Sequence, residues 1–171
     1  MVQELDELML VGRVVVGDNA AFATLVERYQ SPLRKFFLNL TLGNESLADD
    51  LAQDTFMRAY RYIKSFRGSA KFSTWLFSIG RNVYYDHLKN RRTETEHREM
   101  KPEPMQPDGG EYIDLYRAME SLRPEERMAV TLYYFEGYSQ EKIAGVMDAP
   151  LNTVKTHLSR AKTKIYKFLE Q

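Results

Sequence analysis

The sequence predicts an all-α protein of two small helical domains joined by a flexible linker. Three observations lead there. Apolar residues recur at helical spacing in nearly every segment between turn signals, and no stretch alternates with period two between turns. Three of the six prolines, Pro102, Pro104 and Pro107, fall within six residues and are followed by Asp108-Gly109-Gly110. Such a run cannot hold a helix and has little apolar surface to bury. A length of 171 residues also accommodates two small domains. The boundaries fall at residues 1–95, 96–112 and 113–171.

The first apolar stretch, Leu8 to Val16, is interrupted by Gly12 and Arg13 and follows acids rather than lysines. It is neither a signal peptide nor a membrane span, so the expected location is cytoplasmic with no direct membrane insertion. Asp18 can cap a helix carrying Phe22, Leu25, Val26 and Tyr29 at i, i+3, i+4 and i+7. Ser31-Pro32 opens a second helix with proline at its first position, carrying Leu33, Phe36, Phe37 and Leu40. Leu42-Gly43-Asn44 ends it. A long third helix runs from about Ser46 to Ser65, with Leu47, Leu51, Thr55, Phe56, Ala59, Tyr60 and Ile63 near one face. Residues 66–71 form a loop, after which Ser73 caps a fourth helix through Trp75, Leu76, Ile79, Val83 and Leu88, with Phe72 stapling its start.

In the second domain a helix begins near Gly110, and Pro124 starts another that Gly137 stops. Ser139 caps a short helix ending near Met147, Asp148-Ala149-Pro150 makes a turn, and Asn152 caps a last helix to about Phe168. The pair has the layout of a helix-turn-helix. In the last helix Val154, Leu158, Ala161 and Ile165 step by 4, 3 and 4 into one buried stripe. Thr153, Lys155, Thr156, Ser159, Arg160 and Lys162 face away from it, hydrogen-bonding and basic, as a helix in a DNA major groove requires. A solvated basic helix face is the plainer alternative. Ala144 permits close approach of the two helices, and Ile143 and Met147 seal their contact.

The formal net charge is zero, but it is distributed in blocks: −2 over residues 1–64, +4 over 65–101, −5 over 102–137 and +3 over 138–171. Local basic surface is what phosphate binding needs, and a neutral total implies weak DNA affinity for the free chain. There is no cysteine, and His87, His97 and His157 show no metal-ligand spacing. No nucleophile–base pair, metal cluster or phosphate loop is present, so neither an enzyme nor a cofactor is expected.

Two segments carry a family likeness. The first is Asp49-Asp50-Leu51-Ala52-Gln53-Asp54-Thr55-Phe56, continuing to Phe66-Arg67-Gly68, Trp75-Leu76 and Arg81-Asn82. The second is Ser139-Gln140-Glu141-Lys142-Ile143-Ala144, then Leu151-Asn152-Thr153-Val154-Lys155-Thr156. Their order and spacing resemble the two-domain sigma factors of the extracytoplasmic-function (ECF) group of the sigma-70 superfamily. One departure stands out. Members usually have Gly-Thr-Val-Lys-Ser-Arg where this chain has Asn152-Thr153-Val154-Lys155-Thr156-His157. That string also resembles response-regulator helix-turn-helices, so a homodimeric regulator of that type is the alternative. The Asp49–Phe56 and Phe66–Asn82 segments argue against it.

The resemblance implies partners and site residues. Asp49, Asp50, Leu51, Gln53, Asp54 and Phe56 would dock on the clamp coiled coil of the beta-prime subunit of the bacterial RNA polymerase core, with the beta subunit as a further partner. Phe66, Arg67, Gly68, Lys71, Phe72, Arg81, Asn82 and Tyr85 would hold the opened −10 element, whose unpaired bases suit aromatic, amide and basic side chains. Trp75 fits the core better than a stacking platform. Asn152, Thr153, Lys155, Thr156, Ser159, Arg160 and Lys162 would read the −35 element as duplex. Lysine, a point charge, suits phosphates, whereas arginine's fork suits guanine. The family also implies an anti-sigma protein.

Overall fold

The computed structural model describes residues 1–97 and 113–170; the expected linker and the expected start near Gly110 lie outside them. Eight α-helices, and no strand, occur among the described residues. The first unit holds α1 (Val2–Val15), α2 (Asn19–Leu40), α3 (Glu45–Tyr62) and α4 (Phe72–His97). The second holds α5 (Ile113–Glu120), α6 (Pro124–Val130), α7 (Gln140–Met147) and α8 (Leu151–Leu169).

Residues 2–15 form a helix that the sequence reading did not assign. Leu10, Val11 and Val14 enter a core with Leu25, Ile63, Phe72 and Leu76. Glu7 is buried beside them, accepting from the Tyr29 hydroxyl and facing the Arg28 guanidinium. Two polar partners offset the cost of burying its charge.

Asp18 caps α2 as expected, its Oδ1 accepting from the Ala20 and Ala21 amides. The helix then passes through Ser31-Pro32 without a break, so one 22-residue helix stands where two were expected. Proline inside a helix loses an amide donor and costs about 3 kcal/mol. Leu33, Phe36, Phe37 and Leu40 are all fully buried just beyond it. Burying each such side chain is worth about 1.5–3 kcal/mol, so packing outweighs the local penalty. Leu42 and Gly43 then take positive φ, 55° and 89°, and Asn44 caps α3 by accepting from the Leu47 amide.

Two other caps differ from expectation. α4 begins at Phe72, and Ser73 lies inside it with its hydroxyl engaged by Lys142 rather than by its own helix. α8 begins at Leu151 with Pro150 at its cap position, so Asn152 does not cap it. Proline's fixed φ already suits a helix start. Ser139 does cap α7, accepting from the Lys142 amide at 3.2 Å, and Asp148 ends it with φ 49°.

The two units share a core. Leu33, Phe36, Phe37, Leu40 and Phe77 of the first cluster with Met128, Leu132, Ile143, Val146 and Val154 of the second. The Leu40 carbonyl, at the end of α2, accepts from both Tyr84 Oη at 3.2 Å and Arg127 Nη1 at 3.3 Å. A linker alone does not hold these units together.

Candidate nucleic-acid interface and docking groove

A groove of about 840 Å³ runs between α2 and α3. Phe22, Val26, Ala52, Phe56 and Met57 give it an apolar floor, and Arg34, Asp49, Gln53 and Arg61 stand at its rim. Arg34 Nε donates to Asp49 Oδ1 at 2.6 Å, spanning the groove from one helix to the other. Asp54 belongs to a neighbouring shallow depression, where Arg58 meets it at 3.2 Å. Asp50 is exposed, whereas Leu51 is 6% exposed and turns into the core. The expected docking set therefore divides. Asp49, Gln53 and Phe56 line one groove, Asp50 and Asp54 present charge beside it, and Leu51 supports the helix from within.

Phe22, Val26 and Met57 were not read as site residues. The first two share the apolar helical spacing of Leu25 and Tyr29. Their i, i+4 pairing fits a groove floor as well as a core, so periodicity alone does not separate the two. Met57, 60% exposed, is the clearer signal: a large apolar residue outside the buried face of α3.

The loop before α4 is anchored by aromatic rings. Phe66, Phe72 and Trp75 form a triangle with centroids 5.4–5.5 Å apart. Phe72 is 2% exposed, so its role in the loop is structural, and Trp75 packs with it as expected. The accessible part of the loop is Arg67 to Lys71. Lys71 is paired with Glu4 of α1 at 2.9 Å. Gly68 has φ +71°, and a Cβ there would lie 2.9 Å from Leu8 Cδ2. This position needs glycine for its backbone, since the Leu8 methyl ends a flexible, exposed side chain.

Along α4, Arg81 Nη2 and Nε donate to Asn82 Oδ1 at 2.8 and 3.1 Å. The contact fixes which way the exposed amide points, turning its donor side outward. Tyr85 is half-buried, with a hydroxyl that has no protein hydrogen-bond partner. Burial pushes that phenol well above its ordinary value, with Glu125 adding to the effect. It acts as a neutral hydroxyl.

In the second unit α7 and α8 meet across the turn at Asp148, Ala149 and Pro150. Val154 and Ala161 are fully buried and Leu158 and Ile165 half-buried, as the 4-3-4 spacing required. Asn152, Lys155, Thr156, Ser159, Arg160 and Lys162 are all exposed, and Thr153 is half-buried. Thr156 Oγ1 donates to the Asn152 carbonyl at 2.9 Å, which leaves its lone pairs facing out. Lys164, also on α8, is drawn instead into a 2.6 Å contact with the buried Glu126. Its charge belongs to the second unit's interior.

Two helical units, with a helix-turn-helix in the second and a groove of mixed-charge rim in the first, define a helix-turn-helix protein. Comparison with known proteins narrows the class. Residues 25–94 match the family model described as Sigma-70 region 2, and residues 112–165 match Sigma-70, region 4. The ECF RNA polymerase sigma-E factor of Salmonella typhimurium is 32% identical across 96% of this chain and 95% of its own length. The RNA polymerase sigma-H factor of Pseudomonas aeruginosa is 31% identical across 99% and 96%. Among solved structures, the sigma factor RpoE of Bartonella quintana, in complex with the anti-sigma factor NepR, is 27% identical with a TM-score of 0.74. That likeness covers 87% of this chain and 96% of that one. CnrH, solved with the cytosolic domain of CnrY, shares the fold at a TM-score of 0.74, covering 96% of this chain and 97% of its own.

The chain belongs to the ECF group of sigma-70 family sigma factors of bacterial RNA polymerase. It is therefore a transcription-initiation factor and not an enzyme, and the homodimeric response-regulator alternative has no support. Among the described residues no helix is long and apolar enough to cross a membrane.

Proposed function

We propose that the first unit, residues 1–95, docks on core polymerase through the α2–α3 groove and reads the opened −10 element. The second, residues 113–171, reads the −35 element through α8, and residues 96–112 span between them. The observation that carries this reading is the groove itself. It combines an apolar floor with a rim of both charges, Arg34, Asp49, Gln53 and Arg61, and with the adjacent Asp50 and Asp54, which suits an amphipathic helix carrying apolar and charged side chains such as a clamp coiled coil offers. A polymerase-bound protein of this kind works in the cytoplasm. Two weak DNA contacts on one chain reinforce each other through effective concentration, so neither need be strong alone.

The −10 reading rests on the exposed Arg67–Lys71 loop and the Arg81–Asn82 pair, with Phe66 and Phe72 as its anchors. The −35 reading rests on the outward face of α8. An anti-sigma protein is the expected regulator, because the similar sigma factor RpoE was solved in complex with one.

A charge-reversal test addresses the docking surface. Asp50→Lys with Asp54→Lys should abolish capture of core polymerase in a pull-down while the thermal midpoint barely moves. Surface substitutions usually cost under about 0.5 kcal/mol. Unchanged capture would place the docking surface elsewhere.

A further inference from the structure

One arginine of α3 reaches toward both proposed sites of the first unit. Arg58 Nη1 donates to Asp86 Oδ2 of α4 at 2.6 Å, and its Nη2 stands 3.2 Å from Asp54 Oδ2, one turn back on α3. Asp54 belongs to the proposed docking set. Asp86 lies one helical turn beyond Asn82, so the two share a face of α4. Arg81 in turn holds the Asn82 amide at 2.8 Å. The Asp86 contact first, and Asp54 after it, hold the Arg58 guanidinium above its ordinary value. Both contacts are charge-assisted and directional.

Direction is what the rest of the α3–α4 contact lacks. Ala52 and Ala59 of α3 share cores with Val83 and Leu76 of α4. Such apolar contact holds the helices together without a preferred orientation. A guanidinium fork has one, because its donors lie in a fixed plane. Arg58, Asp54 and Asp86 are also partly exposed. Ion pairs this open add little to stability, so what they supply is geometry.

We propose that Arg58 is a positioning residue for both sites of the first unit. It aims the Asp54 carboxylate at core polymerase and, through Asp86, sets the Asn82 turn of α4 against the −10 strand. The proposal rests on the assignment of α3 to docking and of α4 to the −10 element. Arg58 itself touches neither partner. Loss of its fork frees the Asp54 side chain and the Asn82 turn to move independently, so docking and strand reading weaken together while the fold remains.

The tests use the full-length chain with core polymerase. Two quantities are read: affinity for core, and base preference on promoters randomised in the −10 element with a fixed −35 element. Arg58→Met should lower core affinity and flatten the same base preference that Asn82→Ala flattens, each roughly fivefold. Its thermal midpoint should stay within about 2 °C of wild type. The two effects separate by partner. In an Asp54→Asn background Arg58→Met should no longer lower core affinity, and in an Asp86→Asn background it should no longer change base preference. Arg58→Lys keeps the charge without the fork and should recover at most one of the two. Either quantity unchanged in Arg58→Met, effects that simply add in both backgrounds, or full recovery of both by lysine overturns the proposal. Should Arg58→Met melt early, Asp86→Asn breaks the bridge from the other helix and decides: base preference must flatten there with core affinity intact. The underlying assignments fail separately. The −10 assignment falls if Asn82→Ala leaves base preference unchanged, and the docking assignment falls if Asp50→Lys with Asp54→Lys leaves core affinity unchanged.

Discussion

Lys164 of α8 holds the buried Glu126 carboxylate of α6, Nζ to Oε2, at 2.6 Å. Glu126 is 2% exposed, and the same oxygen accepts from the Arg123 amide at 3.0 Å. Burial alone would raise this carboxyl, but the Lys164 and Arg123 contacts win and hold it below its ordinary 4.5. The pair ties α8 to the helix beneath it.

Breaking that pair should cost more than its single bond suggests. Lys164→Met leaves a buried charge uncompensated, which we predict destabilises the protein by roughly 2–4 kcal/mol at neutral pH. A carboxyl lowered by folding contributes stability above its unfolded value and loses it as pH falls. The variant and wild type should therefore converge below about pH 4. Chemical denaturation at several pH values reads this directly. A uniform loss across pH would show that packing, and not the charge, is what matters.

Glu136 behaves in the opposite sense. Burial pushes its carboxyl up to about 7, against the opposing pull of Lys35 and Lys142. A carboxyl raised by folding favours the folded arrangement while protonated. Its contribution is full below about pH 4.5 and is lost as pH rises through about 7. Lys35 lies on α2 and Lys142 on α7, so the group sits where the two units meet. Glu136→Gln should flatten the pH dependence and raise the melting temperature at about pH 8. Thermal melts from about pH 5 to about pH 8 that stay parallel for both proteins would contradict the assignment.

Gly68 shapes the loop before α4 through its positive φ. Gly68→Ala should cost about 1 kcal/mol, since alanine is strained at this positive φ, while the Leu8 methyl it would approach can move aside. Protease cleavage between Arg67 and Lys71 should accelerate accordingly. Wild-type stability in the variant would mean that the loop adapts without cost.

Much of this fold can be read in the residues because local signals and packing agree. Asp18, Asn44 and Ser139 cap their helices, and Val154, Leu158, Ala161 and Ile165 face inward. The reading failed where tertiary contacts overrule local chemistry. Pro32 looks like a helix start, but four buried side chains beyond it carry α2 straight through. Ser73 looks like a cap, but its hydroxyl is taken by a lysine from the other unit, 69 positions away. α1 is legible as well, since Leu10, Val11 and Val14 follow helical spacing, although Gly12 and Arg13 interrupt the apolar run. The contact between units carries no local sign, because Phe36, Phe77 and Ile143 look the same whether a core is private or shared.

The proposed division of labour between the units is tested most directly by transcription from a randomised promoter library with core polymerase, comparing wild type with Asn82→Ala and Arg160→Ala. Asn82→Ala should change preference only at the −10 element. Arg160→Ala should relax one or two base pairs of the −35 element, by roughly 1–3 kcal/mol each. Both substitutions shifting the same element, or neither shifting any, would contradict the account.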